Sequence, residues 1–126
     1  FVVLLSTAAM EEVVASHPAV AECAVIGVHD NMKGEVPMGF VVLKAGINMG
    51  EEQLEKELVA LVREKVGPVA FFKQAILVKR LPKTRSGKIL RKIMRNMADG
   101  KEFAMPSTIE DASVLSELEG TMREHR

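Results

Sequence analysis

Among Phe, Trp and Tyr, the 126-residue chain has five phenylalanines and nothing else. Single-stranded nucleic acid is held by stacking bases on aromatic side chains beside a basic groove. The most basic stretch here contains no aromatic residue, so no nucleic-acid partner is expected. Cysteine is as scarce. Cys23 stands alone in an apolar run and cannot form an internal disulfide, which fits a reducing, intracellular compartment, cytoplasmic or mitochondrial matrix. With no second thiol and no adjacent base, Cys23 reads as core packing. The three histidines, His17, His29 and His125, lack ligand spacing, so no metal site is expected. No window reaches the roughly 18 consecutive apolar residues of a membrane span, and residues 1–5 are too short for a signal-peptide core. Neither a membrane nor a secretory address is indicated.

Net charge is also missing, with 17 basic against 17 acidic residues. The balance is unevenly distributed. Between Lys79 and Arg95 lie Lys79, Arg80, Lys83, Arg85, Lys88, Arg91, Lys92 and Arg95, eight cations with no acid among them. The rest of the chain then carries nine basic and 17 acidic residues, a formal charge of −8. Concentrating cationic charge in one ribbon prepares a surface for an anion.

Apolar content of 48% is enough for one core in a domain of this size. A short helix is expected over residues 6–16, with Ser6 or Thr7 as cap and Met10, Val13 and Val14 at helical spacing, stopped by His17-Pro18. Residues 20–28 and 36–44 read as strands joined by a polar turn, and Pro37 implies an edge or a bulge. Residues 51–66 give the clearest helix: Leu54, Leu58, Leu61 and Val62 form one stripe, acids lead it, Arg63 and Lys65 close it, and Gly67-Pro68 stops it. A third strand is expected at 75–79. A further helix is expected from Ser86, with Ile89, Leu90, Ile93, Met94 and Met97 as its apolar stripe and Asp99-Gly100 as its end. Ser107-Thr108-Ile109-Glu110 has capping-box spacing ahead of a possible last helix. The order implies an α+β domain: a small sheet of about three strands flanked by helices.

Within the ribbon, Thr84-Arg85-Ser86-Gly87-Lys88 joins strand to expected helix. A capping serine, a permissive glycine and a lysine in the first helical turn would form an anion site with the unpaired helix N–H groups. It is not a phosphate-binding Walker A loop, because Pro82 stands where the first glycine belongs and Ile89 where Ser or Thr should follow the lysine. The alternative is a solvated surface helix.

Leu81-Pro82-Lys83-Thr84-Arg85-Ser86-Gly87-Lys88 resembles the lysine motif near the end of AMP-forming acyl-CoA synthetases, in the adenylate-forming superfamily. Residues 17–27, Gly34-Glu35-Val36-Pro37 and residues 62–68 are similar to successive stations of the same C-terminal domain. Ser107-Thr108-Ile109-Glu110-Asp111 resembles the acetyl- and propionyl-CoA synthetase branch. The resemblance implies a lid at residues 6–100 and a C-terminal tail at 101–126. The lid would act on a large N-terminal adenylation domain missing from this fragment. That domain would hold ATP, its Mg2+ and a small carboxylic acid, and CoA would be the second co-substrate. It implies that Lys88 is the adenylation lysine, that Ser86 and Gly87 shape its loop, and that Arg63 meets a CoA phosphate. From the residues alone, Arg63 is equally a cation at a helix C-terminus. Residues 1–5 would be a hinge remnant; Val2-Val3-Leu4 departs from the family's Gly-His-Arg-like or Gly-Tyr-Arg-like segment, so its CoA contacts are not carried over. Two other readings stay open: a ligase of this superfamily for another acid, and a stand-alone regulatory or interaction module with no catalysis.

Overall fold

The computed structural model describes residues 7–30, 34–67, 72 and 74–124. The possible cap Ser6, the hinge segment 1–5, Pro68 and His125 lie outside these. In chain order the elements are α1 (Thr7–Ala15), β1 (Val20–Asp30), β2 (Gly34–Leu43), α2 (Glu51–Lys65), β3 (Gln74–Leu77), α3 (Arg91–Ala98) and α4 (Ser113–Glu124). The expected α+β class is the one found. Strands run in the order β1-β2-β3, with β1 and β2 antiparallel and β3 parallel to β2.

Strand β1 is apolar on both faces because both are covered. Cys23 and Val25 join Met10 and Val14 of α1 and Leu54, Leu58 and Val62 of α2 in one core cluster. The alternate residues Ala24, Ile26 and Val28 join Ile93, Met94 and Met97 of α3 and Leu115, Leu118 and Met122 of α4 in another. Side chains alternate across a pleat, so the two clusters lie on opposite faces and the domain has three layers. Each fully buried Leu or Val contributes about 1.5–3 kcal/mol. The stripes on α2 and α4 therefore hold the layers together.

Both outer edges of the sheet are closed by carboxylates. On β1, the Val25 N–H donates to Glu11 Oε2 at 2.9 Å and the His29 N–H to Asp99 Oδ1 at 2.8 Å. On β3, the Ala75 N–H donates to Glu55 Oε2 at 2.9 Å and the Leu77 N–H to Glu51 Oε2 at 2.8 Å. These charge-assisted bonds occupy donors that would otherwise template another strand. Pro37 lies within β2 opposite Gly27 of β1, while the pairing with β3 begins only at Met38. On its other side it is locally an edge, where a missing N–H costs nothing; the bulge falls elsewhere, between Val20 and Glu22. His17 ties the α1–β1 turn to α2: the Ala19 N–H donates to Nδ1 at 3.0 Å, and Nε2 lies 2.8 Å from Glu57 Oε1.

Two local expectations need correction. The helix expected from Ser86 begins only at Arg91, its N-cap is Leu90, and no side chain caps it. Residues 83–89 form a tight β-hairpin instead. The end of that helix does fall at Asp99-Gly100: Gly100 has φ +72°, its N–H donates to the Met97 carbonyl, and the Lys101 N–H donates to the Asn96 carbonyl at 2.8 Å, a Schellman closure. The capping box at 107–110 does not form either. Asp111 starts the last helix, its Oδ1 accepting the Ser113 N–H at 3.0 Å. Ile109 is drawn into a β-bridge with Thr84. Residues beyond 100 are no loose extension, since Val114, Leu115, Leu118 and Met122 are buried.

Candidate functional site

The hairpin carrying Lys88 is built around Thr84. The Thr84 N–H donates to the Lys88 carbonyl at 2.9 Å, and the Lys88 N–H donates to Thr84 Oγ1 at 3.1 Å, so one threonine grips the lysine backbone from both sides. The Gly87 N–H donates to the Thr84 carbonyl at 2.9 Å, closing a four-residue turn. Gly87 has φ +91°, in the left-handed region that a Cβ disfavours. Ser86 Oγ lies 2.9 Å from Thr84 Oγ1, a bond inside the turn rather than a helix cap. Below the turn, Lys83 bridges Ile89 and the Leu90 N–H donates to the Pro82 carbonyl at 2.9 Å. Leu81 is buried, and Ile89 and Leu90 pack against the α3–α4 core. The apolar residues that read as a helical stripe thus anchor a hairpin, and the anion site expected from helix N–H groups at Lys88 is absent.

A third strand-like segment lies along the hairpin's free side. Thr84 bridges Ile109, the Arg85 N–H donates to the Thr108 carbonyl at 2.9 Å, and the Glu110 N–H donates to the Lys83 carbonyl at 2.9 Å. Thr84 therefore sits between Lys88 on one side and Ile109 on the other.

Three of the eight ribbon cations are paired with acids from outside the ribbon. Lys83 Nζ lies 2.7 Å from Glu22 Oε1, and Arg91 holds Glu11, which lifts its pKa above the ordinary value. Arg80 reaches Asp111 Oδ2 at 2.8 Å and Glu117 Oε2 at 2.7 Å. Both acids raise the pKa of Arg80, Glu117 the more strongly, and both carboxyls are held low in return. Asp111 falls to about 2, chiefly through its bonds from Ser113 and then through Arg80. Lys88 is exposed, and no ion pair joins it to a carboxylate among the described residues. The ribbon is thus divided between structural cations and accessible ones. Lys83, one of the eight cations of the ribbon, belongs to the first kind.

Arg63 is exposed in the last turn of α2, one position after the buried Val62. Its helix covers the sheet face opposite to the hairpin, so Arg63 and Lys88 are in different outer layers. A groove of about 860 Å³ opens between the ends of β2 and β3 and helix α4, lined by Leu43, Leu77, Lys79 and Glu117 among others, and neither Lys88 nor Arg63 lines it. Cys23 is buried, its thiol donating to the Glu11 carbonyl at 3.3 Å; burial first, then Glu11, pushes its pKa up to about 12, so it stays an inert thiol. Among the described residues no three His, Cys, Asp or Glu side chains are placed to hold a metal ion, and no helix is long and apolar enough to cross a membrane. Sequence reasoning missed Thr84 and residues 108–110. The first left a local signal, a threonine three residues before a glycine at a turn; the second was marked by its resemblance and its capping-box letters, but nothing in it signals the pairing with the hairpin, which is distant in sequence.

Known proteins share this architecture and sequence. The chain is 55% identical over 115 residues to the mitochondrial acyl-CoA synthetase short-chain family member B of Dictyostelium discoideum, a match covering 91% of this chain and 17% of that protein. It is 45% identical over 120 residues to an acetyl-coenzyme A synthetase of Pyrobaculum arsenaticum, covering 95% of this chain and 18% of the relative. The crystal structure of a Brucella canis acyl-CoA synthetase superposes with a TM-score of 0.66 at 38% identity, covering 71% of this chain and 16% of that one. The chain therefore spans less than a fifth of the length of these relatives. Residues 9–88, from within α1 to Lys88 itself, match the model of the AMP-binding enzyme C-terminal domain, and the chain belongs to that family, with homologues among the short-chain acyl-CoA synthetases.

Proposed function

We propose that this domain is the catalytic lid of an AMP-forming short-chain acyl-CoA synthetase acting on acetate or propionate, and that Lys88 is its adenylation lysine. The observation that carries the reading is the state of Lys88. It is an exposed cation that, like Arg85 in the same turn, has no ion pair among the described residues, and its backbone is fixed from both sides by Thr84, while Arg80, Lys83 and Arg91 are spent on ion pairs. The large domain that this lid would close on is the partner, and it would hold the acid, ATP and the accompanying Mg2+.

In the first half-reaction a carboxylate oxygen attacks the α-phosphorus of ATP. The bond to the bridging oxygen breaks and pyrophosphate leaves, giving the acyl-adenylate. Both reactants are anions, so a cation that reaches the two orients them and offsets the charge gathering on the α-phosphoryl oxygens. Gly87 and Ser86 hold the turn that aims Lys88. In the second half-reaction the CoA thiol, losing its proton, attacks the acyl carbon, and AMP leaves. Arg63 is suited to a CoA phosphate, as a rigidly mounted guanidinium on α2. Because Arg63 and Lys88 occupy opposite layers, the domain must turn between the half-reactions for each to reach one active centre, which favours a mobile lid over a static one. Residues 6–100 would form the lid and 101–126 its C-terminal addition. The mitochondrial relative and the single buried thiol fit a reducing compartment such as the matrix.

The test uses the enzyme extended by its large domain. Lys88→Ala is expected to lower acid-dependent ATP–pyrophosphate exchange by about a hundred- to a thousandfold, the size lost when a positioned charge-stabilising group is removed. Thioester formation from supplied acyl-adenylate is expected to stay within about twofold of the parent. Exchange at the parental rate in Lys88→Ala would end the assignment.

A further inference from the structure

Just before the hairpin, Arg80 makes a network out of proportion to an exposed arginine. Its Nη1 donates to Asp111 Oδ2 at 2.8 Å, and its Nη2 donates to Glu117 Oε2 at 2.7 Å and to Ser113 Oγ at 3.0 Å. Asp111 is itself held. Its Oδ1 accepts the Ser113 N–H at 3.0 Å and the Ser113 hydroxyl at 2.7 Å, so one carboxylate caps α4 with one oxygen and grips Arg80 with the other. Asp111 directly follows the residues that line the hairpin. The Glu110 N–H reaches Lys83, Ile109 bridges Thr84, and the Thr108 carbonyl accepts the Arg85 N–H. Thr84 in turn fixes the Lys88 backbone through its own N–H and its Oγ1.

These contacts form one chain from Arg80 through Asp111 and residues 108–110 to Thr84 and Lys88. The family match ends at Lys88, so the segment that braces the lysine hairpin comes from beyond it. We propose that Arg80 and Asp111 are positioning residues that act on Lys88 by clamping residues 108–110 along the hairpin, making the C-terminal segment part of the adenylation machinery rather than an appendage. The inference rests on the reading of Lys88 given above. Exposed ion pairs contribute little to stability, so a purely structural clamp would be nearly silent. A reacting group is more demanding: a displacement of about 1 Å can cost on the order of a hundredfold in rate.

The experiment is made in the full-length enzyme with Arg80→Met and Asp111→Asn. The asparagine keeps a side-chain oxygen for the Ser113 N–H and removes only the ionic grip on Arg80. Each variant is expected to lower kcat for acid-dependent pyrophosphate exchange about tenfold. KM for ATP and for the acid, and the rate of thioester formation from supplied acyl-adenylate, are expected to stay within about twofold. Lys88→Ala is measured alongside. Unchanged exchange in both clamp variants, with Lys88→Ala inactive, would overturn the positioning role while leaving the Lys88 reading intact, and so would an equal fall in both half-reactions. Exchange surviving Lys88→Ala would instead remove the reading on which the clamp depends.

Discussion

Helix α2 and the hairpin at residues 83–89 carry the two cations proposed to take part in the chemistry, Arg63 and Lys88, and they are built by opposite means. In α2 the register is local. Leu54, Leu58 and Val62 recur at four-residue spacing and are buried, Glu51 and Glu52 lead, and Arg63 and Lys65 close the helix. Arg63 is where it is because a helix of this pattern leaves that position outside. In the hairpin the register is imposed from a distance, by Ile109 on Thr84 and by the carboxylates of Glu22, Asp111 and Glu117 on Lys83 and Arg80. The placement of Arg63 along α2 follows from the pattern of one element. The hairpin of Lys88 is held both by bonds within residues 84–88 and by contacts from residues 108–110.

The comparison is sharpest at the two cations themselves. Arg63→Ala in the full-length enzyme is expected to raise KM for CoA about tenfold, the equivalent of one lost charge-assisted contact of about 1.4 kcal/mol. Pyrophosphate exchange should be untouched, since Arg63 lies in the layer away from Lys88. Should the substitution lower only thermal stability, by the 0.3–1 kcal/mol typical of a cation lost from a helix C-terminus, Arg63 is a helix-end residue and nothing more. Steady-state kinetics at varied CoA, beside a melting curve, separates the two.

Glycines extend the comparison to the backbone. A Cβ on Gly87 would meet no atom within 4 Å, yet φ is +91°, so Gly87→Ala is expected to destabilise by about 1 kcal/mol through conformation alone. Gly50, the N-cap of α2, also has open space, but its φ is −68° and no side chain caps the helix there. Gly50→Ser is therefore expected to stabilise by a few tenths of a kcal/mol. Urea melts of the two variants should move in opposite directions, and a shared direction would show that backbone conformation is not what separates the two glycines.

The same distinction explains what could be read from the residues alone. Strands β1 and β2, helix α2 and the Asp99-Gly100 stop carry their instructions within a few residues, and each lies within two residues of where periodicity and turn chemistry put it. Ile89 and Leu90 belong to an apolar series that is equally good for a helix. What decides against the helix is Thr84, which claims the Lys88 backbone, and Gly87, whose positive φ reverses the chain. Ser107 to Glu110 likewise has the letters of a capping box, but a β-bridge to a residue 25 positions earlier takes Ile109 first. Lys88 was legible as a motif. That Arg80, Lys83 and Arg91 are neutralised while Lys88 and Arg85 stay exposed in the turn was not, because Glu11, Glu22, Asp111 and Glu117 come from three other parts of the chain.

The smallest effect tests how the clamp is divided. Asp111 titrates at about 2 instead of 3.8, with the Ser113 bonds as the larger cause and Arg80 as the smaller. Its depressed pKa means that the charged form is favoured by folding. The contribution is fully present above about pH 4 and is lost as pH falls toward 2. Carboxyl carbon shifts followed by NMR through this window should give a midpoint near 2 in the parent. In Arg80→Met the midpoint should move upward yet remain below 3.8, because the bonds from Ser113 survive. In Ser113→Ala the hydroxyl donor is lost, the backbone donor stays, and the rise should be the larger of the two. If Arg80→Met produced the greater rise, the ionic grip would dominate, and the hairpin would be tied to the C-terminal segment more by charge than by the helix cap that shares the same carboxylate.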